Sequence, residues 1–303
     1  MESETIREFG DEKNRIYLGD CVEVLRQRVS PASVDLIFAD PPYNIGKQFN
    51  GMADRWPTIE AYVEWYKIWL DLCLERLSPH GSLYCMTSTQ AMPYLDLFLR
   101  SRVTILSRIV WYYDSSGVQA KSYFGSLYEP ILFCVKDSHQ YTFNGTDIAV
   151  EAKTGAKRKL IDYRREKPKP YNTTKVPGNV WYFPRVRYRM PEYEEHPTQK
   201  PAALLRRIIL ASSNPDDVVL DPFAGTFTTC AVAQDLGRRS IGVERDREYV
   251  KIGLRRCGIA NELDGEPLKA LNKSYKRRNG PRPKRSQIAD EELDLFSSKV
   301  SSS

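Results

Sequence analysis

The chain of 303 residues is poor in the side chains that build metal and disulfide sites. It has three histidines, His80, His139 and His196, and none stand at H-x-x-x-H spacing, so the helix-borne zinc pattern is absent. Its six cysteines are scattered with no C-x-x-C pair, which argues against zinc and against a disulfide framework. A reduced, cytoplasmic compartment is the expected address. No window approaches a membrane-spanning apolar run. The opening MESETIREFGDEKN is acidic and polar, without the apolar h-region of a signal peptide. A strong excess of one charge is missing as well: 45 Lys and Arg stand against 39 Asp and Glu. Total charge therefore says little about partners, and its distribution has to be read instead. There is no internal repeat. Hydrophobic residues make up 41% of the chain, which fits a globular protein. The length suffices for one core of about 200 residues plus attached elements.

Short apolar runs alternate with amphipathic stretches. The pattern predicts strands over Ile16–Leu18, Val34–Ala39, Ser82–Thr87, Val103–Tyr112, Ile131–Val135, Val218–Leu220 and Ser240–Val243. It predicts helices over Cys21–Arg28, Thr58–Leu77, Ala91–Arg100, Pro201–Ala211, Thr228–Leu236 and Arg247–Arg256. Such alternation implies an α/β fold with a mostly parallel sheet covered on both faces. Ligands of these sheets sit beyond the carboxyl ends of the strands. Asp40, Asp221 and Glu244 each follow an apolar run, which places them there.

Residues 151–195 break the pattern. They hold twelve Lys or Arg against six acidic residues, with Tyr163, Tyr171, Trp181, Tyr182, Phe183 and Tyr188 interleaved. This composition reads as an inserted, loop-rich module outside the sheet. A third region begins near Asn261, where Lys273–Arg285 carries seven positive charges and no negative one. It reads as a flexible tail adding sequence-independent attraction to phosphates. The expected divisions are 1–150, 151–195, 196–260 and 261–303.

Three motifs carry chemistry. The first is Asp40-Pro41-Pro42-Tyr43. Exocyclic amines of nucleobases are weak nucleophiles because the nitrogen lone pair is delocalised into the ring. The Asp40 carboxylate and the Pro41 carbonyl are acceptors that favour a more pyramidal nitrogen. Pro41 and Pro42 stiffen the loop, and Tyr43 offers a flat face for a base. A plain strand-to-loop turn with a buried tyrosine is the competing reading. The second motif, Asp221-Pro222-Phe223-Ala224-Gly225-Thr226-Phe227-Thr228-Thr229, follows a strand and opens a helix. Gly225 permits close backbone approach, and the helix start offers amide donors. Glu244 ends the next strand, where an acid can bind both hydroxyls of a ribose. An ordinary capped turn is the alternative. The third, His196-Pro197-Thr198-Gln199-Lys200-Pro201, is by chemistry alone a loop and helix start.

Together, and in this order, the motifs resemble the β-class of amino-methyltransferases acting on DNA. The resemblance runs from about Tyr17 to Arg256. It implies a Rossmann-like class I methyltransferase fold: a mostly parallel seven-stranded sheet with one antiparallel strand, helices on both faces, and a circularly permuted motif order. Residues 1–150 and 196–260 become the catalytic and cofactor-binding halves, and 151–195 the target-recognition insertion. The resemblance implies S-adenosylmethionine as cofactor, held by Asp20, Lys200, Asp221, Phe223, Ala224, Gly225, Thr226, Thr228 and Glu244, and catalysis by Asp40 to Tyr43 without a metal. Asp20 reads equally well as a helix N-cap. Phe227 stands where most members of the family have Gly, and is expected to crowd or line the cofactor pocket.

The implied substrate is N6 of adenine in duplex DNA, reached by base flipping. Lys157, Arg158, Lys159, Arg164, Arg165, Lys175, Arg185, Arg187 and Arg189 are the expected DNA contacts. N4-cytosine methylation is the nearest alternative, but such enzymes usually open the catalytic loop with Ser. RNA or protein-amide methylation is disfavoured by motif order. An inactive DNA-binding relative is disfavoured by intact Asp40, Tyr43 and Asp221. A homodimer and a cognate restriction endonuclease remain open as partners.

Overall fold

The structure, a computed structural model, describes residues 6–49, 52–113, 121–152, 160–164 and 166–269. Lys157, Arg158, Lys159, Arg165 and the basic stretch Lys273–Arg285 lie outside the described residues. The described residues fall into two compact units. One runs to Phe143 and resumes at Asn179; the other is Asn144–Gly178.

The first unit is built on a nine-stranded sheet. Its strands in chain order are β1 (Arg7–Gly10), β2 (Asn14–Leu18), β3 (Val34–Ala39), β4 (Leu77–Met86), β5 (Thr104–Tyr112), β6 (Tyr128–Val135), β7 (Val180–Tyr182), β8 (Val218–Asp221) and β9 (Arg239–Glu244). Across the sheet they lie in the order β1-β2-β9-β8-β3-β4-β6-β5-β7. Seven of them, from β2 to β5, are the expected core, and within it only β6 runs against its neighbours. The expected count of seven is corrected by two edge strands. β1 pairs antiparallel with β2 and is tied by a two-bond contact from Arg7 to Asp264. β7 pairs parallel with β5. Val180–Tyr182 thus belongs to the sheet, contrary to the expectation for residues 151–195. Val110 N donates to the Asn179 carbonyl at 2.8 Å, Asn179 Nδ2 donates to the Arg108 carbonyl at 2.8 Å, and Arg207 covers the Trp181 and Phe183 rings. A strand of three residues between Pro-Gly-Asn and Phe-Pro has no readable period.

The helices are α1 (Cys21–Arg28), α2 (Ile59–Arg76), α3 (Met92–Arg100), α4 (Ala202–Ser212), α5 (Thr228–Asp235) and α6 (Arg247–Arg256). Caps set several starts: Asp20 accepts from Val22 N and Glu23 N, Thr58 from Ala61 N, and Asp246 from Glu248 N and Tyr249 N. The two-residue period of the strands sorts side chains to opposite faces. Ile37, Ala39, Leu83, Cys85 and Leu220 join one core with Val24, Tyr66, Trp69 and Leu95 of α1 to α3. Leu36, Phe38, Tyr84, Met86 and Val219 join the other with Leu204, Ile208 and Val232 of α4 and α5. Continuous apolar runs such as VDLIFA follow from burial on both faces. Among the described residues, no helix is long and apolar enough to cross a membrane.

The second unit contains two short antiparallel ladders. Val150–Glu151 pairs with Thr174–Lys175, and Ile161–Asp162 pairs with Lys169–Pro170.

Candidate active site

β9, β8 and β3 are neighbouring parallel strands. Glu244 and Asp221 close the first two, and Asp40 follows the third, so three carboxylates line one rim. From β3 the chain proceeds through α2 to β4 on one side, and from β8 through α5 to β9 on the other. The strand order therefore reverses between β3 and β8, where the loops part and leave a crevice. A cavity of about 740 Å³ opens there, reached by all three motifs. Its size suits a nucleoside-sized ligand together with a base.

At one end, Asp40 is held by side chains. Tyr43 donates its hydroxyl to Asp40 Oδ1 at 2.7 Å, with Glu129 Oε2 3.0 Å away. Lys200 Nζ lies 2.5 Å from Asp40 Oδ2 and 3.6 Å from Glu129 Oε2. Burial pushes the Asp40 carboxyl above its ordinary range; Lys200 pulls it down and Glu129 adds to the rise. Burial also opposes charge on Lys200, but Asp40 and Glu129 outweigh it and hold the ammonium above its usual value. Burial, then Asp40 and Glu129, keep the Tyr43 phenol far above its normal range, so it remains a donor. Asp54, itself buried, pins the loop after the motif by accepting from Tyr43 N at 3.1 Å and from Lys47 N. Tyr62 donates to the Pro42 carbonyl at 2.8 Å.

At the other end, the backbone does the holding. Asp221 Oδ1 accepts from Phe223 N at 3.0 Å, and Oδ2 accepts from the Thr229 hydroxyl at 2.5 Å. Glu244 accepts from Gly225 N at 2.9 Å and Asp246 N at 2.8 Å. Burial raises both carboxyls to about 7. Gly225 adopts φ +51°, and a Cβ there would stand 3.2 Å from His196 Nε2. His196 accepts from Thr198 N at 3.2 Å, and burial drives its pKa down to about 3, so the ring is neutral. The Thr226 and Thr228 hydroxyls both accept from Arg256, at 3.1 and 2.9 Å. Phe223 meets Trp65 and Trp69, forming part of an aromatic wall with Trp56. Asp20 also lines the cavity while capping α1.

The expectation for Phe227 is corrected. Its ring is fully buried and absent from the cavity wall. It packs on Gly242 and Gly253, where added Cβ atoms would stand 2.7 and 2.3 Å from it. Phe227 has φ 57°, a left-handed conformation that normally selects glycine. Two glycines on neighbouring elements make room for its ring.

A family model described as DNA methylase matches residues 34–255. The chain belongs to the DNA methylase family. It is 55% identical over 288 residues to the DNA adenine methyltransferase YhdJ of Escherichia coli K12, covering 95% of this chain and 96% of that one. Among solved structures it resembles the PvuII DNA methyltransferase (cytosine-N4-specific), with TM-score 0.61 and 18% identity over 84% of this chain and 92% of that one. It also resembles an M1.HpyAVI–SAM complex, with TM-score 0.53 and 24% identity over 80% and 99%. These two likenesses establish the shared fold.

Against this family background, the expected DNA contacts are divided between the two units. Arg164, in the second unit, is ion-paired with Asp162 at 2.9 Å, and Lys175 sits in a ladder with Val150. Arg185, Arg187 and Arg189 belong to the first unit. Of these, Arg185 reaches the cavity and lies over the Tyr113 ring at 5.2 Å. Lys200, expected at the cofactor by resemblance, lines the cavity with its ammonium paired to Asp40 and Glu129. Sequence reading missed Glu129, Asp54, Lys47 and Trp56. An acid heading the apolar run EPILFCV was the available signal for Glu129.

Proposed function

We propose that the protein transfers a methyl group from S-adenosylmethionine to N6 of adenine in duplex DNA. The observation that carries this is the meeting of Asp40–Tyr43 with Asp221 and Glu244 in one cavity, on adjacent strands. The donor set fits the cofactor. The buried Asp221, the half-buried Glu244 and an aromatic wall suit a cationic group, ribose hydroxyls and a flat purine. Glu244 is the ribose acceptor, Asp221 and Gly225 hold the polar part, and Phe223 packs beside them. When bound, S-adenosylmethionine supplies a methyl already activated on a sulfonium, so no nucleophilic side chain is required.

This chain's own residues do the rest. Asp40 accepts an amino hydrogen of the flipped base, and the Pro41 carbonyl accepts the other. With Pro42 tied to Tyr62, the acceptors stay fixed while the nitrogen becomes more pyramidal. Tyr43 packs against the base, and the neutral His196 closes the wall between the two ends. Asp40 in place of Ser, and the 55% identical relative named as an adenine methyltransferase, favour adenine over cytosine. Residues 151–195, Arg185, Arg187 and Arg189 among them, read the DNA. Exchanging residues 151–195 with β7 kept is expected to change the sequence methylated.

The test uses purified protein with labelled cofactor and DNA, RNA or protein, followed by hydrolysis. N6-methyladenine from DNA is expected. N4-methylcytosine would overturn the base assignment, and label in RNA or protein alone would overturn the substrate class.

A further inference from the structure

Glu129 stands outside all three motifs, yet it lies inside the catalytic charge cluster. The topology explains how. β6 runs against β4 and β5, so its beginning arrives at the rim where the parallel strands end. Glu129, the second residue of β6, therefore faces the same crevice as Asp40. Its Oε1 accepts from the Tyr113 hydroxyl at 3.1 Å. Its Oε2 lies 3.0 Å from the Tyr43 hydroxyl and 3.6 Å from Lys200 Nζ. These two donors are also the ones that occupy Asp40, at 2.7 and 2.5 Å. Two carboxylates thus share one phenol and one ammonium.

An incoming adenine needs Asp40 as an acceptor for its amino group. Both Asp40 oxygens are already engaged, and freeing them would leave the buried Lys200 ammonium only the Thr198 carbonyl, at 3.3 Å, and would take from the half-buried Tyr43 hydroxyl its nearest acceptor, at a cost. A second carboxylate within reach of both donors removes that cost. We propose that Glu129 is a positioning residue for methyl transfer: it takes over Tyr43 and Lys200 when the adenine amino group engages Asp40. The proposal rests on the adenine reading above.

The same contacts make Glu129 a regulator of Asp40 ionisation. The groups facing Asp40 are Tyr43 on its own loop, Glu129 of β6, Lys200 before α4, Asp221 of β8, Cys85 of β4 and Tyr62 of α2. Lys47 and Arg185 act on Lys200 from further out. Removing the Glu129 charge must lower the Asp40 pKa. Removing the Tyr43 hydroxyl, a donor to the carboxylate, must raise it. A residue that merely supports the fold would produce no such pair of opposite shifts.

The experiment compares full-length wild type, Glu129→Gln and Tyr43→Phe. Asp40 is titrated by carbon NMR of carboxyl-labelled aspartate, with its resonance identified by loss in Asp40→Asn. In parallel, kcat/KM for DNA is followed against pH at saturating cofactor. For Glu129→Gln, the Asp40 midpoint and the acid limb should move to lower pH. Its kcat should fall roughly tenfold or more, the expected loss for a hydrogen bond to a charged group. KM for DNA and cofactor affinity by calorimetry should hold. For Tyr43→Phe, midpoint and limb should move to higher pH, which keeps the test decisive if Glu129→Gln folds poorly. Unmoved midpoints, or shifts of the same sign in both variants, would overturn the proposal. Wild-type enzyme that methylates no adenine would overturn the function reading, while the midpoints still decide whether Glu129 controls Asp40.

Discussion

The two ends of the cavity carry the same kind of group and hold it differently. Asp40 is tied by a phenol and an ammonium, the tips of movable side chains. Asp221 and Glu244 are tied mainly by the backbone amides of Phe223, Gly225 and Asp246, with the short, buried Thr229 hydroxyl as the one side-chain tie. A carboxylate that must exchange partners with a substrate is suited to side-chain ties, which swing away. A carboxylate that must hold a cofactor in one pose is suited to main-chain ties, which do not. The contrast implies that chemistry and cofactor binding are separable by mutation.

The largest separation should come from Asp40→Ala. Turnover should fall by at least about 100-fold, on the scale of losing an acceptor aimed at the reacting group. Calorimetry should find the cofactor bound as tightly as in the wild type. If affinity fell as far as turnover, the two ends would be one unit.

The reverse experiment is Asp221→Asn or Glu244→Gln. Cofactor affinity should weaken roughly 10- to 100-fold, with turnover at saturating cofactor much less affected. The pH dependence sharpens this. Both carboxyls are raised to about 7 by burial, so their charge is lost as pH falls through neutrality. Wild-type cofactor affinity should drop from pH 8 to pH 6, on the scale set by those pKa values, and the drop should flatten in the variants. Folding stability should move the other way. A carboxyl whose folded pKa lies above its unfolded one stabilises the fold at low pH, and that stability is lost as pH rises through the folded value. The cofactor-free protein should therefore melt higher at pH 6 than at pH 8, since both carboxyls titrate near 7.

A smaller effect tests how the cofactor loop is braced. In Gly253→Ala the new Cβ would lie 2.3 Å from Phe227 Cδ2. Overpacking of this kind costs about 1–3 kcal/mol in denaturant unfolding. Adding Phe227→Ala should remove the clash, making the pair less harmful than the sum of the singles. Additive losses would show that the ring does not depend on that glycine. The smallest effect is expected at the mouth. Arg185→Ala should weaken DNA binding and reduce its salt slope by about one, with cofactor affinity unchanged.

Much of this was legible in the sequence. Cys21–Arg28, Val34–Ala39 and Arg247–Arg256 appear with the expected bounds. Their apolar spacing matches one period, and Asp20 marks one start. The three rim carboxylates were legible because each follows an apolar run. Glu129 was not, because its meaning depends on β6 running backwards, a fact of topology rather than spacing. The direction of Phe227 was equally hidden, since it depends on Gly242 and Gly253 in other elements. Lys200 was placed near the site by its motif, but only the fold reveals that Asp40 and Glu129 share it.

The central claim is that one cavity joins a cofactor cradle to a loop built for adenine N6. It is tested most directly by expressing the wild type and Asp40→Ala in cells free of DNA methyltransferases. Their DNA is then sequenced by a method that distinguishes N6-methyladenine from N4-methylcytosine. The account predicts N6-methyladenine at a defined sequence with the wild type and none with Asp40→Ala. N4-methylcytosine, or methylation that survives Asp40→Ala, would contradict it.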